Sequence, residues 1–355
     1  MSAPELDLNE GSSPFVAHEG AFAEVLGADP QLVQVLACDA HEGPTYVACE
    51  DALYFTTVPR GEDVAAPGFP EVAIKRLALD GDRFPLERER VSVLRANANA
   101  ANGMAIDPEG RLIVCEQGTA SQPAAITRLD RSTHAPETLV DRCQGLPLNS
   151  PNDVVVKSDG TLWFTDPSYG HLHGFKPEPQ LAESVYRYDP RTDHLSVVAD
   201  DFDKPNGLAF SPDERVLYVG DSGANQEAGS YYADRPHHIR AFDVRDGRRL
   251  GEDRLLAVTT PGYPDGIKVD SEGRIYASSF AGVQVFSTGG ELIGEIKLPG
   301  AVNFTFGGVR RDVLFITTDT AIWAAVLNAT GPRLPAGNQP KGARHGDDTQ
   351  TTHHR

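Results

Sequence analysis

Six short oxygen-bearing side chains recur in one phase along this 355-residue chain: Glu42, Asn102, Asn152, Asn206, Asp265 and Asn303. Each stands ten or eleven residues ahead of an apolar run, in the segments EGPTYVACEDALYF, NGMAIDPEGRLIV, NDVVVKSDGTLWF, NGLAFSPDERVLYV, DGIKVDSEGRIYA and NFTFGGVRRDVLFI. Any one Asn or Asp can cap a turn and bond the backbone beside it. Six in the same register point further. Brought together radially, they place a ring of oxygen-bearing groups at one end of a channel, and such a ring is a ligand site.

The elements that must position them are strands. The repeats start 60, 50, 54, 59 and 38 residues apart, the period of a four-stranded propeller blade rather than of a helical hairpin. The turns are specified locally by Asp-Pro-Glu-Gly (107–110), Ser-Asp-Gly (158–160), Ser-Pro-Asp-Glu (211–214) and Ser-Glu-Gly (271–273). Pro supplies a fixed φ there, Asp and Ser supply side-chain turn bonds, and Gly supplies a positive φ. The flanking runs, such as Leu112-Ile113-Val114, Leu162-Trp163-Phe164 and Val216-Leu217-Tyr218, are β-branched or aromatic and too short for helices. The fold class expected is all-β, a six-bladed β-propeller with four-stranded antiparallel blades over residues 15–330. A strand-like stretch from Gln31 to Cys38 precedes the first repeat. It is expected to pair with the last blade and close the ring, removing exposed edges. Residues 1–14 and 331–355 hold few large apolar side chains and are expected to be disordered.

With 32 basic against 51 acidic residues the formal charge is −19. That balance argues against nucleic acid or an anionic membrane as partner and suits a cation-binding protein. No stretch reaches the ~18 apolar residues of a membrane-crossing helix, and MSAPELDLNEG lacks the basic start and apolar core of a secretory signal. A cytoplasmic location and a monomer are expected. Cys38, Cys49, Cys115 and Cys143 form no C-x-x-C pair and are expected to be free thiols. His237 and His238 have no third ligand at usable spacing, so no zinc site is expected there. No G-x-S-x-G element is present.

HEGPTY (41–46), NGMAIDPEGRLIVCEQG (102–118), SPNDVVVKSDGTLWFTDPSYG (150–170), KPNGLAFSPDERVLYVGDS (204–222), PDGIKVDSEGRIYAS (264–278) and NFTFGG (303–308) together resemble the gluconolactonase and senescence-marker-protein (regucalcin) family. The resemblance covers nearly the whole propeller, with the PND, PNG and PDG motifs in family order. It implies a six-bladed propeller with one divalent metal at the channel mouth and a hydrolase acting on a lactone. Glu42, Asn152, Asn206 and Asp265 become the metal ligands. Four hard oxygen donors without sulfur or imidazole suit Ca²⁺ first, with Mn²⁺, Mg²⁺ or Zn²⁺ as alternatives.

The resemblance further makes Asn102 a substrate-binding residue. Glu116, Tyr169 and His171 join it as substrate-binding candidates. Asp166, fourteen residues after Asn152 as Glu116 is after Asn102, is expected to organise the turn before Pro167. In the implied reaction the metal acts as a Lewis acid on the lactone carbonyl, while Asp265 is the catalytic residue that takes a proton from the attacking water. The partner is a small-molecule lactone, of a sugar or of secondary metabolism. An organophosphate-type substrate, or a calcium-binding propeller without catalysis, are the alternatives. The segment 223–236 (GANQEAGSYYADRP) is an insertion, either a lid or a solvated loop.

Overall fold

The computed structural model describes residues 13–61, 69–227 and 229–340. Six antiparallel sheets stand as blades around a central axis, blades one to four following the chain from the inside outward, and a separate two-stranded ribbon pairs Arg142–Cys143 with Leu146–Pro147. Blade one is Thr45–Val47, Ala52–Thr56, Ile74–Ala78 and Val91–Arg95. Blade two is Ala101–Ile106, Leu112–Glu116, Ala125–Leu129 and Pro136–Val140. Blade three is Val154–Val156, Leu162–Asp166, Ser184–Asp189 and His194–Ala199. Blade four is Pro205–Phe210, Val216–Asp221, His238–Arg245 and Arg249–Val258. Blade five is Ile267–Val269, Ile275–Ser279, Gly282–Phe286 and Leu292–Lys297, with Phe15–Ala17 added at its outer edge.

Blade six closes the circle. Phe304–Gly307, Val313–Thr317 and Ala321–Val326 come from the end of the chain, and the outermost strand is Gln31–Ala37, paired antiparallel with Ala321–Val326. The expected closure by the segment starting at Gln31 is therefore observed. The six inner strands contact one another in sequence, the last against the first.

A blade is a twisted sheet with two apolar faces, so neither can stay open. The core accordingly divides into six clusters, each shared by two neighbouring blades. Trp163, Val185, Leu208 and Phe242 fill one between blades three and four; Tyr276, Val285, Phe304 and Leu314 fill another between blades five and six. The four cysteines are free, with Cys115 and Cys143 buried. No described helix is long and apolar enough to cross a membrane.

The C-terminal segment departs from expectation. Residues 331–340 run back over blades one and two, where Asn338 is buried. Its side chain donates to the carbonyl of Tyr46 (2.8 Å) and accepts from the amide of Ala48 (2.8 Å), and Gly337 N donates to the carbonyl of Pro108 (2.8 Å). One well-placed amide that satisfies two buried backbone groups holds a polar segment that composition alone marks as disordered. Residues 1–12 and 341–355 lie outside the described residues.

Candidate active site at one end of the channel

All six inner strands start at the same end of the channel, and the six recurrent side chains stand at or just before those starts. Glu42, Asn102, Asn152, Asn206 and Asn303 are buried and Asp265 is partly buried. What brings them into a ring is the close approach of the backbone behind them. Gly103 N donates to the carbonyl of Asn152 (2.7 Å), and Gly207 N donates to the carbonyl of Asp265 (2.9 Å). A Cβ at Gly103 would stand 2.5 Å from that carbonyl oxygen, and one at Gly207 would stand 2.2 Å from its own partner. Asn-Gly in this chain is thus a mark of contact between blades, not of a hairpin turn.

A second repeated device sits one strand outward. The Asp166 carboxylate accepts from the amides of Asn149 (2.8 Å) and Ser150 (2.7 Å), just ahead of Pro151-Asn152. Asp221 accepts from the amides of Asp203 (3.1 Å) and Lys204 (2.9 Å), just ahead of Pro205-Asn206. Glu116 occupies the same place in blade two: it accepts from Asn99 (2.9 Å), Thr127 (2.7 Å) and Arg95. Its oxygens are spent on fixing the segment before Asn102, so its placement is that of a clamp rather than of a group offered to a substrate. The Asp166 carboxylate thus organises the segment ahead of Pro151 rather than the turn before Pro167.

Among the ring residues, Glu42 Oε2 accepts from Asn303 Nδ2 (2.8 Å) and from the amide of Gly43 (3.1 Å). Asn303 Oδ1 accepts from Lys268 Nζ (3.3 Å). Asn303, the sixth member, therefore orients Glu42. Asn206 Nδ2 donates to Tyr169 Oη (3.1 Å), which brings Tyr169 to the ring. Asp265 N donates to Ser278 Oγ (3.0 Å). Asn102 Oδ1 is buried without a hydrogen-bond partner among the described residues. His171 is not in the ring. It is exposed on a cleft of about 290 Å³ between blades two and three, together with Thr119, Gln122, Ser150 and Lys176. A larger cavity of about 620 Å³, lined by Glu183, Asp201, Lys204 and Arg240, holds none of the ring residues.

The electrostatics of the ring are those of two acids held together. Burial pushes the Glu42 carboxyl well above the usual range, and the charge of Asp265 pushes it further. Burial raises Asp265 as well, against the lowering effects of His41 and Asn206. His41, beside Glu42, was not singled out by residue pattern. Burial works against its charged form, but the hydrogen bond to Asp319 (2.6 Å) and the charges of Asp319, Glu42 and Asp265 outweigh it and raise the imidazole to about 9. Two further groups escaped the pattern. Asp153 has a buried Oδ2 with no hydrogen-bond partner among the described residues, and Lys268 Nζ lies 3.6 Å from it. Ser278 could have been found: it follows Asp265 by thirteen residues, as Thr165 follows Asn152, and both hydroxyls accept from ring backbone.

This donor set fits a hard divalent cation. Two neighbouring carboxyls of raised proton affinity, Glu42 raised in part by the charge of Asp265, are a pair that positive charge between them stabilises, and Asn152 and Asn206 add amide oxygens of the same hardness. No group of three or more His, Cys, Asp or Glu side chains is gathered as a metal site among the described residues. A cation here would rest on two carboxylates and two amides.

Comparison with known proteins agrees with the geometry. The family described as SMP-30/Gluconolactonase/LRE-like region matches residues 40–320. The chain belongs to this family. It is similar to lactonohydrolase oryH of Aspergillus oryzae, with 30% identity over 88% of this chain and 80% of that protein. It is similar also to the gluconolactonase of Zymomonas mobilis, with 30% identity over 75% of this chain and 72% of the relative. Among solved structures, the gluconolactonase XC5397 of Xanthomonas campestris superposes with a TM-score of 0.71 at 35% identity, covering 89% of this chain and 96% of that one. Family membership thus supports a hydrolase of the lactonase type.

Proposed function

We propose that the protein hydrolyses a lactone at the ring, with Glu42, Asn152, Asn206 and Asp265 holding one divalent cation, Ca²⁺ first. The observation that carries this reading is the juxtaposition of the buried Glu42 and the partly buried Asp265 as acids with raised proton affinity, in a chain whose relatives are named lactonohydrolase and gluconolactonase. A bound cation supplies positive charge that polarises the lactone carbonyl and offsets the charge developing on its oxygen.

The remaining work falls to side chains of this chain. Asp265 accepts a proton from the attacking water; the water oxygen bonds the carbonyl carbon, the ring C–O bond breaks, and the proton passes to the departing alkoxide, leaving a hydroxy acid. Beside a cation the Asp265 carboxylate would have a lower proton affinity, but the water held there would be acidified too, so a weak base suffices. Tyr169 holds Asn206 in place through its hydroxyl, and Asn303 does the same for Glu42. Asn102 Oδ1, buried and unpaired, accepts a hydroxyl or water from the substrate side, since an acceptor left dry is costly.

The test is acid release from a panel of sugar and alkyl lactones by metal-depleted protein, repeated after adding Ca²⁺, Mn²⁺, Mg²⁺ or Zn²⁺. Hydrolysis that appears only with cation supports the reading. Undiminished hydrolysis by metal-free protein removes the cation from it, and no hydrolysis of any lactone under any condition removes the reaction.

A further inference from the structure

The cleft between blades two and three mixes polar groups such as Thr119, Gln122 and His171 with Pro123, Leu148 and Pro177. Toward blades four and five the wall is aromatic. Tyr263 stands two residues ahead of Asp265 in the chain. Its ring meets Phe280 edge-on (centroids 5.3 Å apart), and Phe280 meets Tyr231 at the same distance. Phe280 is 45% and Tyr231 36% exposed.

These rings are fixed rather than adrift. Tyr263 Oη accepts from Asn225 Nδ2 (2.7 Å), and Phe280 N donates to the carbonyl of Pro261 (3.0 Å). Ser278, two residues before Phe280, is the hydroxyl that accepts from the amide of Asp265. Tyr231 comes from the 222–237 connection of blade four, while blade five turns back in two residues, 280–281. The long connection of one blade therefore leans over the short one of the next, and the rings between them form an apolar track that begins at Asp265. Exposed aromatics in that position are unpaired apolar surface continuous with a polar reaction centre, the pattern of a ligand pocket in which a few polar groups orient and apolar walls bind.

Resting on the lactone reading, we infer that Tyr263, Phe280 and Tyr231 form a subsite for an apolar substituent, and that the substrate is a lactone bearing an alkyl chain rather than an unadorned or fully hydroxylated one. Each methylene laid on the track raises specificity by roughly two- to fourfold until the rings are covered.

Two series separate this inference from the reading beneath it. The first is kcat/KM for γ-lactones carrying no chain, a propyl chain or a heptyl chain, with D-glucono-δ-lactone beside them. The second is the affinity of the matching γ-lactams, which resist hydrolysis, for the cation-loaded protein. The expected result is a rise of at least tenfold from the unsubstituted to the heptyl member in both series. In Phe280→Ala and Tyr231→Ala that ratio falls several-fold, and Phe280→Leu recovers most of it. If no lactone is turned over but lactam affinity still rises with chain length and loses the rise in Phe280→Ala, the subsite stands and the reaction assignment fails. A flat chain-length series in wild type, a slope unchanged by both alanine variants, or a preference for the hydroxylated lactone overturns the inference. So does concentration-dependent dimerisation abolished by Phe280→Ala, which would assign the rings to a second copy of the chain.

Discussion

Asp265 stands ahead of the inner strand Ile267–Val269, and Asp270 stands one residue beyond its other end. Both are aspartates on one blade, and their surroundings are opposite. Asp270 is fully buried and fully paired: Oδ1 accepts from the amides of Glu272 (2.9 Å) and Arg274 (3.0 Å), and Oδ2 accepts from Arg274 Nε (2.7 Å) and Tyr276 Oη (3.0 Å). Blade two repeats the arrangement with Asp107, which accepts from the amide and Nε of Arg111. At the turn end of the strands, a carboxylate organises a hairpin and its own arginine neutralises it. At the ring end, Asp265 faces Glu42, a like charge. At the turn end the acids are neutralised in place, whereas at the ring end the charge of Asp265 raises the proton affinity of Glu42.

This contrast predicts opposite signatures for the two aspartates. Asp265→Asn should lower kcat on whichever lactone is turned over by about 10²–10⁴-fold, with a melting temperature equal to or above that of wild type in the absence of metal. Steady-state kinetics and a thermal melt on the same preparation check both halves. Asp270→Ala should do the reverse. Breaking the buried pair with Arg274 costs about 3–5 kcal/mol of stability, measured by urea denaturation, while the folded fraction keeps its turnover. Turnover loss in the Asp270 variant comparable to that in the Asp265 variant would break the comparison.

A smaller effect sharpens the part played by backbone packing. Gly207→Ala places a Cβ against the Asp265 carbonyl and should cost roughly 1–3 kcal/mol. Cation affinity should weaken with it, because Asp265 must move; the same substitution at the exposed Gly300, where a Cβ meets nothing within 4 Å, should leave cation affinity alone. Parallel calcium titrations of the two variants decide this. The smallest effect is a pH dependence. His41 titrates near 6.5 unfolded and is raised to about 9 in the fold. In metal-depleted protein its contribution to stability is therefore full below about pH 6.5, declines as pH rises, and is gone above about 9. The stability gap between wild type and Asp319→Asn should follow that course across a pH series of melts.

The ring residues were legible because each repeat keeps its phase: a side chain that recurs at one distance from a hairpin turn must recur at one place in the blade. The same regularity exposed the turn carboxylates. Glu116 follows Asn102 by the spacing at which Asp166 follows Asn152, and it shares the clamp position of Asp166. His41 and Asp319 could not be paired by pattern, since they meet only where the ring closes between blades six and one. His171 sits in the short helix Tyr169–Leu172, in a connection that no repeat sets. Asn338 illustrates the limit of composition, because two backbone hydrogen bonds from one amide outweigh the polarity of the segment around it.

The most direct test of the account is a calorimetric titration of Ca²⁺ into metal-depleted wild type, Glu42→Gln, Asp265→Asn and Asp270→Asn. One site in wild type, lost or weakened at least about tenfold in the two ring variants and kept in folded Asp270→Asn, is the predicted result. Binding that survives both ring substitutions, or no binding by wild type to any of the four cations, would contradict it.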